Sequence, residues 1–273
     1  MAANQPQGGR RVAIVTGAAG GVGAATALML ARKGHNVVLN FNRSADLVRP
    51  VVDACRAAGA DAVAVQGDVA QDEVCRALAR DAMQRWGRID ALVNSAGATR
   101  FVPISNLEGV SAQDFQDVFG INTVGPFQMA RAVAAHMGDG GAVVNVSSIS
   151  AQSGNGSSLP YVVSKAALNA LTLGLARALA PQVRVNAVLP GLIEGRWMRD
   201  GLGDEVYQRV KSQYAEAALL ECVATPEHIA SAIGWLLDPA CLMTGQLMVV
   251  DAGFLLGKPP SATGATGTTG TTK

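Results

Sequence analysis

Short apolar runs alternate along the chain with longer stretches of helical spacing. The first run, Val12-Ala13-Ile14-Val15, lies in a strand expected over residues 11–16 and ended by glycine. Six more strands are expected over 37–39, 62–65, 91–93, 142–146, 183–188 and 247–250. Helices are expected over 21–33, 46–58, 73–86, 112–137, 161–180 and 226–237. Gly34 suits a C-cap, Pro50 marks a first turn or a kink, Gly125-Pro126 bends the long fourth helix, and Pro181 closes the fifth. Continuous apolar strands are those buried on both faces, as in a parallel sheet. The regular alternation, with no break in composition, predicts one α/β domain: a doubly wound, seven-stranded parallel sheet with right-handed crossovers and helices on both faces. The expected domain is 10–257. Residues 1–9 are expected to be flexible, and the Gly/Thr/Ala-rich 258–273 to be a disordered tail.

Of the 273 residues, 49% are hydrophobic and 16% charged, ample for one large core. A net charge of +1 and 4% aromatics give no basic stripe with stacking side chains, which argues against a nucleic-acid partner. The apolar runs are too short or too broken for a membrane span, and residues 1–9 are polar, so a cytoplasmic location is expected. Cys55, Cys75, Cys222 and Cys241 form no CxxC pair and lack neighbouring histidines. They are expected to be buried or half-buried thiols, with no metal site.

Two patterns carry chemistry. Thr16-Gly17-Ala18-Ala19-Gly20-Gly21-Val22-Gly23 links the first strand to the first helix. Glycines there let the backbone approach a pyrophosphate, and the helix N-terminus offers N–H groups and a positive dipole end. Tyr161 and Lys165 stand one above the other at i,i+4 on a helix. An adjacent ammonium favours the phenolate and makes tyrosine a usable acid/base group. Ser148 lies thirteen residues upstream, at the end of a strand.

The Thr-Gly-x-x-x-Gly-x-Gly turn resembles that of the short-chain dehydrogenase/reductase family, and the resemblance extends over about 10–257. It is closest to the 3-oxoacyl-[acyl-carrier-protein] reductase-like members. It implies a Rossmann-type fold and an NAD(P)-dependent oxidoreductase. It gives Tyr161 the role of proton donor to a carbonyl oxygen. Lys165 would lower its pKa and bind the nicotinamide ribose, Ser148 would bind the substrate oxygen, and Asn122 would hold a relay water. Ser147 competes with Ser148, and spacing to the tyrosine favours Ser148. Cofactor contacts are expected at Thr16, Gly17, Gly21, Val22 and Gly23 of the turn. Others are expected at Asp68 and Val69 on the adenine, at Asn94, Ala96 and Gly97 beside the cofactor, and at Pro190, Gly191 and Ile193 flanking the nicotinamide. Asp68 also reads as a helix N-cap.

After the second strand, Asn42, Arg43 and Ser44 stand where an NAD-type site would carry an acid, so NADP(H) is expected over NAD(H). Residues 192–220 match the family's mobile substrate lid. Their large apolar side chains suit an uncharged group, and Arg196 an anionic one. Arg196, Arg199, Arg209 and Lys211 could form a basic patch for a carrier protein, diluted by neighbouring acids. The expected activity is reduction of a ketone or aldehyde, as in 3-oxoacyl thioesters. The alternatives are a sugar, polyol or steroid alcohol dehydrogenase, or a cofactor-sensing protein without turnover. A homotetramer or homodimer is expected.

Overall fold

The computed structural model describes residues 9–258; all of the expected tail but Lys258 and all of the expected flexible start but Gly9 lie outside them. The strands are β1 (Val12–Val15), β2 (Asn36–Phe41), β3 (Ala62–Gln66), β4 (Ile89–Asn94), β5 (Met137–Val146), β6 (Val183–Pro190) and β7 (Leu247–Val250). They form one sheet in the order β3-β2-β1-β4-β5-β6-β7, every neighbouring pair parallel. The helices are α1 (Gly21–Arg32), α2 (Ala45–Ala57), α3 (Asp72–Trp86), α4 (Ala112–Phe119), α5 (Gly125–Ala134), α6 (Ser150–Ser153), α7 (Leu159–Leu179), α8 (Arg196–Leu202), α9 (Asp204–Ala217) and α10 (Pro226–Leu236).

Side chains alternate across a strand, so β1 feeds two cores. Ala13 and Val15 join Leu30 of α1, Val52 of α2 and Ile233 of α10 on one face. Val12 and Ile14 join Leu78 of α3, Met129 of α5 and Ala176 of α7 on the other. The strand order reverses between β1 and β4, and ligand crevices form at such a switch, beyond the strands' carboxyl ends.

The structure departs from the periodicity in places. The helix expected over 112–137 is interrupted: α4 passes into a π-helical turn, Gly120–Val124, before α5. The helix then stops at Ala134, and Met137, still apolar, already belongs to β5, opposite Ile89. Periodicity alone could not place that boundary, because an apolar residue suits either element. Pro50 lies in the second turn of α2, on its exposed side. Residues 196–217 fold into the two helices α8 and α9. Cys55, Cys75 and Cys241 are buried, whereas Cys222 is exposed, contrary to expectation. Helix α7 is long and apolar enough to cross a membrane by length and composition. Here it packs against the sheet and α4 and carries Tyr161 and Lys165, both buried.

Candidate active site

The glycine turn is built on close backbone approach. Gly17 has φ +64°, and a Cβ there would stand 2.7 Å from the Ala96 Cα. A Cβ on Gly23 would overlap the Gly17 carbonyl. Gly20 and Gly21 face open space, and no side chain caps α1 or puts an acid in its first turn. The turn therefore leaves a bare, electropositive helix end beside room for an anionic group. Thr16 sits behind this cradle. Its buried hydroxyl accepts from the Ser95 and Ala96 N–H groups at 3.0 and 3.1 Å, tying β1 to the segment after β4.

At the end of β2, Asn40 is buried and its side chain donates to the Val65 and Gly67 carbonyls. Asn42 and Arg43 are exposed and Ser44 is half-buried. Arg43 takes no part in the ion pairs found among the described residues. Asp68 does not cap α3, whose N-cap is Gln71; its carboxylate accepts from the Ala70 N–H at 3.0 Å within the preceding turn. Val69 is buried, and its carbonyl accepts from the Gln128 amide.

At the centre, Ser158 caps α7, its hydroxyl accepting from the Tyr161 N–H at 3.4 Å, so Tyr161 stands in the helix's first turn. Lys165 is 5% exposed and donates from Nζ to the Val146 carbonyl at 2.8 Å. Its Nζ is 5.6 Å from the centre of the Tyr161 ring. Burial pushes the ammonium down to about 8. Burial also pushes the Tyr161 phenol up to about 12, and its contact with Ser148 pulls the other way. The expected lowering of the phenol by Lys165 does not emerge here: desolvation dominates both groups.

Ser147 and Ser148 divide cleanly. The Ser147 hydroxyl donates to the Lys165 carbonyl at 3.2 Å and so belongs to the scaffold. Ser148 meets Tyr161, and its hydroxyl bonds Ser150 Oγ at 3.1 Å. Asn122 is fully buried in the π turn. Its side chain accepts from the Ala98 N–H and donates to the Ala98 carbonyl and Ser164 Oγ, each at 2.8–2.9 Å. Both of its amide N–H groups are thus engaged in tying α7 to the loop after β4. A Cβ on Gly97 would stand 3.5 Å from Asn122 Oδ1 and 3.8 Å from Lys165 Nζ. Gly97, Asn122 and Lys165 therefore line one spot. Asn94 donates to Asn145 Oδ1 at 2.8 Å, and Asn145 to Thr172 at 2.9 Å, a buried polar chain running from β4 to α7.

On the far side, the Gly191 N–H donates to the Val250 carbonyl, the Pro190 carbonyl accepts from Ile149, and Ile193 bridges to Ala224. A side chain on Gly191 would overlap the Tyr214 hydroxyl. Tyr214 donates to the Asp251 carbonyl at 2.8 Å and stacks on Phe254 at 4.2 Å. Tyr207 is buried beneath Arg199. The two tyrosines thus root α9 instead of lining a pocket. Of the aromatic rings in residues 192–220, Trp197 is the one that meets Tyr161: it lies 5.9 Å from the Tyr161 ring and 6.0 Å from Phe101. Arg196 is exposed and pairs with Asp200, Arg199 with Asp204 and Lys211 with Glu194, which neutralises most of the expected basic patch.

Sequence reasoning passed over Phe101, Ser158 and Ser164. Ser158 had a signal, a capping serine two residues before Pro160 at the second helical position. Phe101 had none, because it depends on a loop meeting a helix a hundred residues away.

A family profile described as enoyl-(acyl carrier protein) reductase matches residues 17–255. A ketoacyl reductase of the granaticin polyketide synthase from Streptomyces violaceoruber is 37% identical over 93% of this chain and 98% of its own length. The Staphylococcus aureus 3-oxoacyl-[acyl-carrier-protein] reductase FabG is 34% identical over 89% of this chain and 98% of its own. A short-chain dehydrogenase/reductase structure from Burkholderia xenovorans superposes with a TM-score of 0.85 at 38% identity, covering 92% of this chain and all of that one. A blue fluorescent protein from a metagenomic library, solved with NADPH, gives 0.80 at 30% identity, covering 89% and 97%. With the glycine turn, the Tyr161–Lys165 helix and the seven-stranded sheet, these matches establish that the chain is an oxidoreductase belonging to the short-chain dehydrogenase/reductase family.

Proposed function

We propose that the protein reduces a ketone of 3-oxoacyl-thioester type to the alcohol, with NADP(H) as cofactor. The observation that carries this reading is the pair of hydroxyls on Tyr161 and Ser148, in contact, with the phenol kept neutral by burial. Two O–H donors side by side suit a carbonyl oxygen, and a neutral phenol has the proton that reduction requires. Ketoacyl reductases among the relatives support the same substrate class.

The cofactor fits the residues present. Gly17, Gly21, Val22 and Gly23 would hold its pyrophosphate at the bare end of α1, with Thr16 bracing the turn. Asn42, Arg43 and Ser44 would meet a 2′-phosphate, Asp68 and Val69 the adenine, and Asn94, Ala96, Gly97, Pro190, Gly191 and Ile193 the nicotinamide half. NADPH is preferred because no acid stands at 42–44 to repel the phosphate and Arg43 is free to pair with it. When bound, the nicotinamide supplies the hydride. Tyr161 gives its phenolic proton to the carbonyl oxygen as the alkoxide develops, and Ser148 hydrogen-bonds that oxygen. Lys165 stays close enough to stabilise the resulting phenolate, and the Asn122 turn leads a water toward Lys165 Nζ.

The family profile's description favours one second reading, reduction of the carbon–carbon double bond of an enoyl thioester. NADPH oxidation with acetoacetyl and crotonyl N-acetylcysteamine thioesters separates the two. Turnover of acetoacetyl alone is expected; turnover of crotonyl alone would replace the first reading by the second.

A second copy of the chain completes the particle in this reading. Phe119, Val124, Phe127, Val163 and Leu173 are exposed on α4, the π turn, α5 and α7, and an apolar face of that kind needs cover. Light scattering should give a dimer or tetramer, and a monomer at micromolar concentration would refute it.

A further inference from the structure

We propose that Trp197 and Phe101 determine specificity, selecting a ketone whose carbonyl is flanked by a flat, uncharged aromatic group over one with a linear aliphatic chain. This deepens the reading above and rests on Tyr161 as the proton donor. Trp197 comes from α8, Phe101 from the loop after β4 and Tyr161 from α7, so three separate elements meet in one aromatic cluster. The Trp197 ring is tilted 51° to Tyr161 and 62° to Phe101, in the tilted and edge-on range that aromatic pairs prefer.

Trp197 is 48% exposed, which is unusual for an indole in contact with a buried phenol. About half of the Trp197 surface is therefore open while its ring stays within 5.9 Å of the Tyr161 ring. One turn on, Gly201 faces the Phe101 ring so closely that a side chain there would overlap it, and this brings α8 down onto the same ring. The neighbouring cations do not compete for the substrate: Arg196 is paired with Asp200 and Arg100 with Asp114. A charged flank would find no free partner, whereas a ring would find two ring neighbours.

The test compares kcat/KM for benzoylacetyl and acetoacetyl N-acetylcysteamine thioesters with NADPH, in wild type, Trp197→Ala, Trp197→Phe and Phe101→Leu. Wild type should favour the benzoyl substrate by about three- to tenfold, the size of one or two aromatic contacts. Trp197→Ala should bring the ratio to near unity, Phe101→Leu should lower it, and Trp197→Phe should keep most of it. A ratio that is near unity in wild type, or unchanged in Trp197→Ala, overturns the proposal. Should neither thioester be reduced, the proposed reaction fails, and binding decides the present point. Titration with 1-benzoylacetone should quench tryptophan emission in wild type and not in Trp197→Phe, whose remaining tryptophans are Trp86 and Trp235. Equal quenching in both proteins would overturn it.

Discussion

Gly23 and Gly201 stand on opposite rims of the crevice, and neither has room for a side chain. At Gly23 the obstacle is the carbonyl of Gly17, a backbone group fixed by β1 and the glycine turn. At Gly201 it is the ring of Phe101, a half-buried side chain and not backbone. The same local crowding therefore has different consequences. The glycine-turn rim is made of backbone against backbone, where nothing can give. The α8–α9 rim is made of side chains against side chains, rooted at Tyr207 and Tyr214 and half-exposed at Trp197. A fixed rim suits a cofactor of constant shape, and a rim of side chains suits substrates of differing shape.

Tyr161 stands between the rims, and its removal should have the largest effect. Tyr161→Phe should lower kcat by at least about a hundredfold, the usual contribution of a general acid. Cofactor affinity and melting temperature should hold, because neither rim is touched. Retention of more than about a hundredth of the rate would remove the acid from its role.

Gly23→Ala comes next and probes the rigid rim. The new methyl must push α1 away from the turn, at a cost of about 3 kcal/mol, the upper range for overpacking. For a domain this size that corresponds to a fall in melting temperature of roughly 6–12 °C. NADPH titration should show the affinity falling with it. Gly20→Ala, where the space is open and the backbone extended at φ −176°, should cost less than about 1 kcal/mol. Equal losses at the two positions would contradict a rim held by specific backbone contact.

Arg43→Ala tests the outer end of the same rim. Loss of one charge-assisted contact should lower the ratio of kcat/KM for NADPH over NADH by about tenfold. Equal efficiency of the two cofactors in wild type would show that Arg43 does not read the phosphate.

The two rims were also unequally legible in the sequence. Glycine spacing encodes backbone geometry directly, so the turn at 16–23, the strand before it, the helix after it and the Tyr161–Lys165 helix follow from local pattern. Asn122 was placed in a helix without its π turn, because that distortion is sustained by Ala98 and Ser164, far away in the chain. The alternative reading of Asp68 as a cap fails because the helix starts four residues later and has Gln71 as its N-cap. The lowered phenol pKa expected from a neighbouring lysine overlooked how deeply both groups are buried. The lid was the least legible. Only tertiary packing separates the rooting tyrosines, Tyr207 and Tyr214, from Trp197.

Burial at the centre has a pH signature. Lys165 titrates at about 8 in the fold, against an ordinary 10.5. Between those values the unfolded chain binds more protons than the native one, so this group makes stability rise with pH. Tyr161, pushed up to about 12, acts in the opposite direction, but only from about pH 10 upward. The melting temperature of wild type minus that of Lys165→Met should therefore grow from pH 8 to pH 10. A difference that is flat or shrinks would mean that the ammonium is not desolvated.

Gly201→Ala should have the smallest effect on stability and is the sharpest test of the contrast between rims. Alanine is better than glycine inside a helix by about 1 kcal/mol, which offsets the cost of turning the Phe101 ring aside. The melting temperature should stay within about 2 °C of wild type, the shift expected from a few tenths of a kcal/mol. The displaced ring should still be felt by the substrate, through KM for a ketone and not through NADPH affinity. If Gly201→Ala instead unfolds the protein as Gly23→Ala is expected to, then Phe101 is as immovable as backbone. The α8 side of the crevice would then be a second rigid wall, and adaptation to substrate shape would have to lie in other residues.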